Sequence, residues 1–221
     1  QDHIDKLVGT DTQYDLIILP DSSSNDAKYH DMLDEINIPC LILDHHLTDE
    51  KLSYNAIVVN NQLSPNYENK ELTGAGVVYQ FCRYVDNIIG QNWADDYLDL
   101  AAWGIIGDMG SVLDMENRYI IYEGLSKEHI KNDFLKCLLN KQAYSITGKM
   151  GATWDDIVEK ANPISIAFYI VPLVNAMIRV GTMPEKERLF MAFIDGSQMV
   201  PCNKRGAKGT MERVDIESTR E

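Results

Sequence analysis

The chain has 221 residues, 45% of them hydrophobic and 24% charged, enough to bury a core unaided, which excludes a disulfide-stapled mini-protein. A formal charge of −14 argues against a surface that binds nucleic acid everywhere, because neutralising phosphates takes lysine and arginine. The imbalance is local: residues 1–148 carry 10 Lys and Arg against 24 Asp and Glu, and residues 149–221 carry 10 against 10. The acidity of the first two-thirds reads either as a solvated face or as carboxylates converging on cations, and composition leaves both open. Four cysteines (Cys40, Cys82, Cys137, Cys202) without C-x-x-C spacing read as reduced thiols, which suits a cytoplasmic protein. The apolar runs read as shorter than the roughly 18 residues of a membrane span, so no membrane is expected. No signal-peptide pattern opens the chain, and both ends read as truncated.

Asp15-Leu-Ile-Ile-Leu-Pro20 is a short apolar run ending in the turn formers Asp21-Ser-Ser-Ser-Asn25, the pattern of a buried parallel strand and its loop. Tyr29, Met32, Leu33 and Ile36 then recur at helical spacing, and Pro39-Cys-Leu-Ile-Leu43 gives a second strand that ends in Asp44-His45-His46. Ala56-Ile-Val-Val59 supplies a third, followed by a polar loop from Asn60 to Lys70. Thr73 is placed to cap a helix through Val77, Val78, Phe81 and Val85, which Gly90 ends, and a further helix is predicted over Ala94 to Ile106. Later helices are predicted over Tyr119–Leu125, Ile130–Leu139, Trp154–Lys160, Ile164–Ile178 and Glu185–Ile194. Residues Asn140 to Thr153 have linker character, and Gly196 to Gly209 reads as an exposed polar, basic loop. The expected fold class is α/β, a parallel sheet followed by a mostly helical C-terminal portion, divided into 1–140 and 141–221.

In an open parallel sheet, ligands gather beyond the carboxyl ends of the strands, where loops diverge and present side chains. Two predicted strands end in candidate metal ligands, Asp21 and Asp44-His45-His46, and Asp108 follows an apolar helical stretch inside Gly107-Asp-Met-Gly110. A mixed oxygen and nitrogen set suits Mn²⁺ or Mg²⁺ with open water positions better than zinc, which favours thiolates. Such a centre serves phosphoryl hydrolysis by lowering the pKa of bound water and neutralising the leaving oxygen. Each residue also has a plainer alternative: Asp21 as a helix N-cap or turn residue, the histidines as solvent-facing groups, Asp108 as a loop carboxylate bound to backbone amides. Gly74 and Gly76 admit close approach of backbone to an anion, or tight packing.

These residues resemble the DHH family of phosphoesterases, and within it the RecJ type, 5′→3′ exonucleases specific for single-stranded DNA. Asp21, Asp44-His45-His46 and Asp108 look like three of the family's four motifs. The RecJ-like signs are Asn69-Lys-Glu-Leu-Thr-Gly-Ala-Gly76, Leu98-Asp-Leu-Ala-Ala-Trp-Gly-Ile-Ile-Gly-Asp108, Glu116-Asn-Arg-Tyr-Ile-Ile-Tyr-Glu-Gly-Leu125 and Pro172-Leu-Val-Asn-Ala-Met-Ile-Arg179. The resemblance implies that Asp21 bridges two cations, that His45 and Asp108 ligate one of them, and that His46 faces the scissile phosphate. It implies further that Asp44 orients the histidines and that Asn175 and Arg179 meet the nucleotide phosphate. Three departures stand out. The Asp-x-Asp motif and its strand are not seen, with only Asp2-His3-Ile4-Asp5 upstream; Leu173 and Met177-Ile178 replace an Arg and small residues of the Arg-x-Asn-Ala-Ala-Gly-Arg pattern; and the Gly-rich DHH-associated domain expected further along is not seen before Glu221. The expected partner is single-stranded nucleic acid, DNA before RNA. The rivals are a phosphoesterase for oligoribonucleotides, cyclic dinucleotides or pyrophosphate, and a non-catalytic scaffold.

Overall fold

A computed structural model describes residues 14–48 and 55–195, together with the backbone of 199–205 and 211–218. The Asp2–Asp5 segment lies outside the described residues. The chain forms two compact units, Gln1–Gly124 and Leu125–Glu221. The division read from composition, after residue 140, falls inside the helix Asp133–Lys141.

The first unit opens with three strands, β1 (Ile17–Pro20), β2 (Cys40–Asp44) and β3 (Ile57–Asn60), in the spatial order β1-β2-β3 and all parallel. The central strand, Cys-Leu-Ile-Leu-Asp, is buried at every position, as expected of a strand covered on both faces. Helix α1 (Ala27–Glu35) crosses between β1 and β2 and lays Leu33 against Cys40 and Ile42, with Tyr29, Met32 and Ile36 around it. Pro20 pairs with Leu43 and Asp44 with Asn60, so the three carboxyl ends stop almost level. The parallel sheet followed by helices is the architecture expected from the sequence.

Helix α2 (Gly74–Ile89) starts at Thr73 and ends on Gly90 in the left-handed region at φ 70°, both as predicted, although the Thr73 hydroxyl makes no capping bond. A 3₁₀ turn (Ala94–Tyr97) leads into α3 (Leu98–Gly107), which is apolar but for Asp99 and largely buried. Helix α4 (Met115–Gly124) packs on it at Gly124, where a Cβ would stand 2.5 Å from the Leu98 carbonyl oxygen. Gly104 does the same service against α2: its Cβ would come within 2.2 Å of Ala75 Cβ. Gly104→Ala is therefore expected to destabilise the chain by about 1–3 kcal/mol, because overpacking outweighs the gain of about 1 kcal/mol in helix propensity. Urea denaturation measures this, and Ala75→Gly added to Gly104→Ala is expected to recover part of the loss. An unchanged midpoint for Gly104→Ala alone would refute it.

The second unit contains α5 (Asp133–Lys141), α6 (Ala143–Thr147), α7 (Trp154–Lys160), α8 (Pro163–Tyr169), α9 (Val171–Val180) and α10 (Met183–Ile194). Asn132 caps α5, while Thr153 and Asn162 open α7 and α8 with reciprocal capping boxes. Phe134, Leu135, Leu139, Ile157, Ile166 and Ile170 form its buried core, with Phe193 edge-on to Phe134 at 4.8 Å. Four sequence expectations change here. The helix predicted over Ile164–Ile178 breaks at Ile170 because Pro172 has no N–H to donate and constrains the residue before it. The linker over Asn140–Thr153 holds the short helix α6 before the left-handed Gly148 and Gly151. The stretch 163–180 is long and apolar enough to cross a membrane by length and composition, contrary to the estimate from run lengths, though it is shared between two helices and carries Asn175 and Arg179. The loop expected over Gly196–Gly209 contains β4 (Met199–Arg205), antiparallel to β5 (Met211–Ser218), with a register shift between Val200 and Cys202 where Pro201 has no ladder donor.

Candidate metal centre

The site is built where the three strands stop. Asp21, one residue past β1, donates its backbone N–H to the Leu43 carbonyl at 2.8 Å and sits in the left-handed region at φ 57°. Aspartate tolerates that conformation better than most residues. Asp21 is thus a turn residue, and the residue before α1 is Asp26, so the alternative of a helix N-cap falls away. The turn aims its carboxylate back across the sheet end, where Oδ1 lies 3.2 Å from His45 Nε2. Asp108 arrives from the other side. It is the C-cap of α3, in a Schellman turn closed by Met109 N–H to Ile106 O at 3.2 Å and Gly110 N–H to Ile105 O at 2.9 Å. Met109 takes φ 59° there, and the Asp108 Oδ2 comes 3.3 Å from the same His45 Nε2.

One imidazole nitrogen therefore stands between two carboxylates that are 87 residues apart in the chain. Donor atoms of Asp21, His45 and His46 all lie within 4.8 Å of one another, and Asp108 joins the group through His45. Partial burial pushes the Asp21 carboxyl above its ordinary pKa against the pull of His45, and the Asp108 carboxylate adds to the rise. Two carboxylates converging on one imidazole form a donor set complementary to a hard or borderline divalent cation.

Asp44 has a different place. Its side chain is 1% exposed and bonded at both oxygens. Oδ2 accepts from Ser24 N–H at 3.1 Å; Oδ1 accepts from the N–H of His45 at 2.8 Å and faces His46 Nδ1 at 2.7 Å. Burial alone would raise its pKa, but the hydrogen bonds from His46, Ser24 and His45 hold the carboxyl well below the usual carboxylate range. The ionised Asp44 in turn raises the His46 pKa. An acceptor-only Asp44 keeps the proton on His46 Nδ1 and leaves Nε2 as the ring nitrogen available to a ligand.

Sequence reading missed Asn60 and Ser24, which complete this support. Asn60, buried at the end of β3, donates to Ser24 Oγ at 2.9 Å and to the His46 carbonyl at 3.0 Å. The signal was a third polar residue closing a third apolar strand. Gly74 and Gly76 also resolve: a Cβ on Gly74 would fall 2.0 Å from Asp21 Oδ1, and one on Gly76 would fall 2.3 Å from Leu72 Cδ1. The first makes room for a site carboxylate and the second for core. Asn175 and Arg179 lie in the second unit, four residues apart on one face of α9.

Residues 1–105 match the N-terminal domain of the DHH family. The YorK protein of Bacillus subtilis (strain 168), provisionally named an SPbeta prophage-derived single-strand DNA-specific exonuclease, is 41% identical over 196 residues, covering 89% of this chain and 32% of its own length. The chain is a DHH-family homologue of the RecJ exonucleases. The single-stranded-DNA-specific exonuclease RecJ of Thermus thermophilus is 29% identical over 168 residues, 76% of this chain and 22% of the relative. Among solved structures, exonuclease RecJ bound to manganese superposes with a TM-score of 0.69 at 25% identity, covering 88% of this chain and 44% of that one. RecJ in complex with Mn²⁺ from Thermus thermophilus gives 0.67 at 23% identity over 87% of this chain and 26% of that one, a likeness of fold. The DHH homologue described here thus spans about a third or less of the length of the curated relatives it matches.

Proposed function

We propose that this DHH domain serves metal-dependent hydrolysis of phosphodiester bonds in single-stranded DNA, in the manner of a RecJ 5′→3′ exonuclease acting in the cytoplasm. The observation that carries the reading is His45 Nε2 held between the Asp21 and Asp108 carboxylates at 3.2 and 3.3 Å. It is supported by relatives named as exonucleases and by the likeness to a RecJ structure bound to manganese. Asp21, His45 and Asp108 would hold Mn²⁺ or Mg²⁺, with Asp21 shared between two ions. The bound metal supplies a water of lowered pKa and charge neutralisation at the departing oxygen.

The remaining roles belong to the chain's own groups. Asp44 stays ionised and fixes the His46 proton at Nδ1, so that the ring presents Nε2 to the scissile phosphate. Asn175 and Arg179 bind the nucleotide phosphate, the guanidinium through paired N–H donors. A strongly acidic chain can accept a polyanion because bound cations offset the charge of its carboxylates.

The test offers the full-length parent of this chain single-stranded DNA labelled at either end, dinucleotides, cyclic dinucleotides and pyrophosphate, with and without Mn²⁺. Mononucleotide release from the 5′ end of long strands, abolished by EDTA, is the expected result. Turnover confined to the small substrates would replace the proposal with a small-substrate phosphoesterase, and Mn²⁺ binding without hydrolysis of any of them would favour a scaffold.

A further inference from the structure

The pair Glu116-Asn117, part of the sequence resemblance, contributes nothing to the ligand set, yet it is the hub of a buried polar network that links Tyr67, Asn69 and Gln80. Asn117 is completely buried. Both protons of its carboxamide are used: Nδ2 donates to the Glu71 carbonyl at 2.9 Å and to the Ser111 carbonyl at 3.0 Å. Its Oδ1 accepts from Asn69 Nδ2 at 3.0 Å. Asn69 is held in turn by Glu116, whose carboxylate accepts from Asn69 Nδ2 and Tyr67 OH, each at 2.8 Å, and from Gln80 Nε2 at 2.5 Å. A carboxamide satisfied at both ends in this way has a single orientation.

The two carbonyls that Asn117 joins belong to the two loops flanking the metal centre. Glu71 lies three residues before Gly74, the residue pressed against the Asp21 carboxylate. Ser111 lies three residues after Asp108. The loops also touch directly, since a Cβ on Gly110 would stand 2.9 Å from Thr73 Cγ2. Resting on the metal-centre reading above, we infer that Asn117 is a positioning residue: its bridge between the Glu71 and Ser111 carbonyls sets the separation of Asp21 and Asp108 around the cation. Without it, two carbonyls lose a buried donor, and the loop carrying Asp108 can move relative to the wall that confines Asp21.

Mn²⁺ affinity of this chain, read from the electron paramagnetic resonance signal of the unbound ion, tests the inference without reference to turnover. Asn117→Ala is expected to weaken Mn²⁺ binding about tenfold or more, while Ile120→Val, a loss of packing in the same helix, leaves it within about twofold. A folded Asn117→Ala that binds Mn²⁺ like the wild type overturns the inference, as does an equal loss in Ile120→Val. If Asn117→Ala does not fold by far-ultraviolet circular dichroism, Asn69→Ala decides. It removes the donor that fixes the Asn117 carboxamide, and a weakened affinity supports positioning whereas an unchanged one refutes it. Absence of Mn²⁺ binding by the wild type would take down the metal-centre reading and this inference together; a normal wild type beside an unaffected Asn117→Ala takes down this inference alone.

Discussion

Replacing His45 with alanine is expected to remove Mn²⁺ binding at the centre and to lower any Mn²⁺-dependent hydrolysis by at least about a hundredfold, since even outer-shell substitutions at metal sites cost 10- to 100-fold. The geometry makes His45 the shared member of the set, because its Nε2 is the atom that both the Asp21 and the Asp108 carboxylates approach. Without the imidazole, two acidic groups face each other with nothing between them, and the Asp21 carboxyl, already raised in pKa, loses the pull of His45 that opposes the rise. Asp108→Asn keeps the shape of its side chain and removes the charge, so it is expected to fall in parallel. His46→Ala leaves both carboxylates and His45 in place and is expected to spare more of the affinity than His45→Ala does. Isothermal titration with Mn²⁺ and mononucleotide release measure the two consequences separately. Wild-type cleavage by both His45→Ala and Asp108→Asn would move the chemistry elsewhere in the molecule.

Gly74→Ala is expected to damage the same centre without touching a ligand. The added methyl would sit 2.0 Å from Asp21 Oδ1, 2.6 Å from its Cγ and 2.8 Å from its Cβ, so rotating the carboxylate alone does not clear it. The Asp21 backbone must also shift, and that backbone is held by its hydrogen bond to Leu43 in a left-handed turn. Mn²⁺ affinity is expected to drop about tenfold or more, comparable to losing ligand support. Gly76→Ala provides the contrast, because its methyl would meet Leu72, a core side chain that is 1% exposed. It is expected to cost about 1–3 kcal/mol of stability through overpacking while leaving the ligands in register. Thermal melts paired with Mn²⁺ titrations separate the two. Equal Mn²⁺ affinity in Gly74→Ala and the wild type would show that Asp21 accommodates the methyl and is not confined by α2.

Sequence patterns local to one element translated directly into structure. The apolar runs Leu16–Pro20 and Pro39–Leu43 hold strands because nothing in them is polar until the turn formers arrive, although the first, expected to be buried, exposes Ile18 and Pro20, and Tyr29, Met32, Leu33 and Ile36 face the sheet because helical spacing puts them on one side. Gly90 ends α2 for an equally local reason, its freedom at positive φ. The strands β4 and β5 were hidden differently. Val214 and Ile216 alternate with Arg213, Asp215 and Glu217, a period-two pattern too short and too charged to stand out beside the helices before it.

Fold class and the order of polar residues at the strand ends were thus determined by the sequence alone, since both follow from the spacing of apolar residues along a few turns or one strand. The tertiary structure alone decided that Asp108, brought in by a Schellman turn on α3, meets the nitrogen that Asp21 meets. It also decided that Asp44 is a buried acceptor while His46 is exposed, that Gly74 serves Asp21 and Gly76 serves Leu72, and that Asn117 joins two distant loops. Each of these depends on the distance between segments far apart in the chain. Periodicity carries which face of an element is buried; it carries nothing about which other element arrives to cover that face or how closely it approaches.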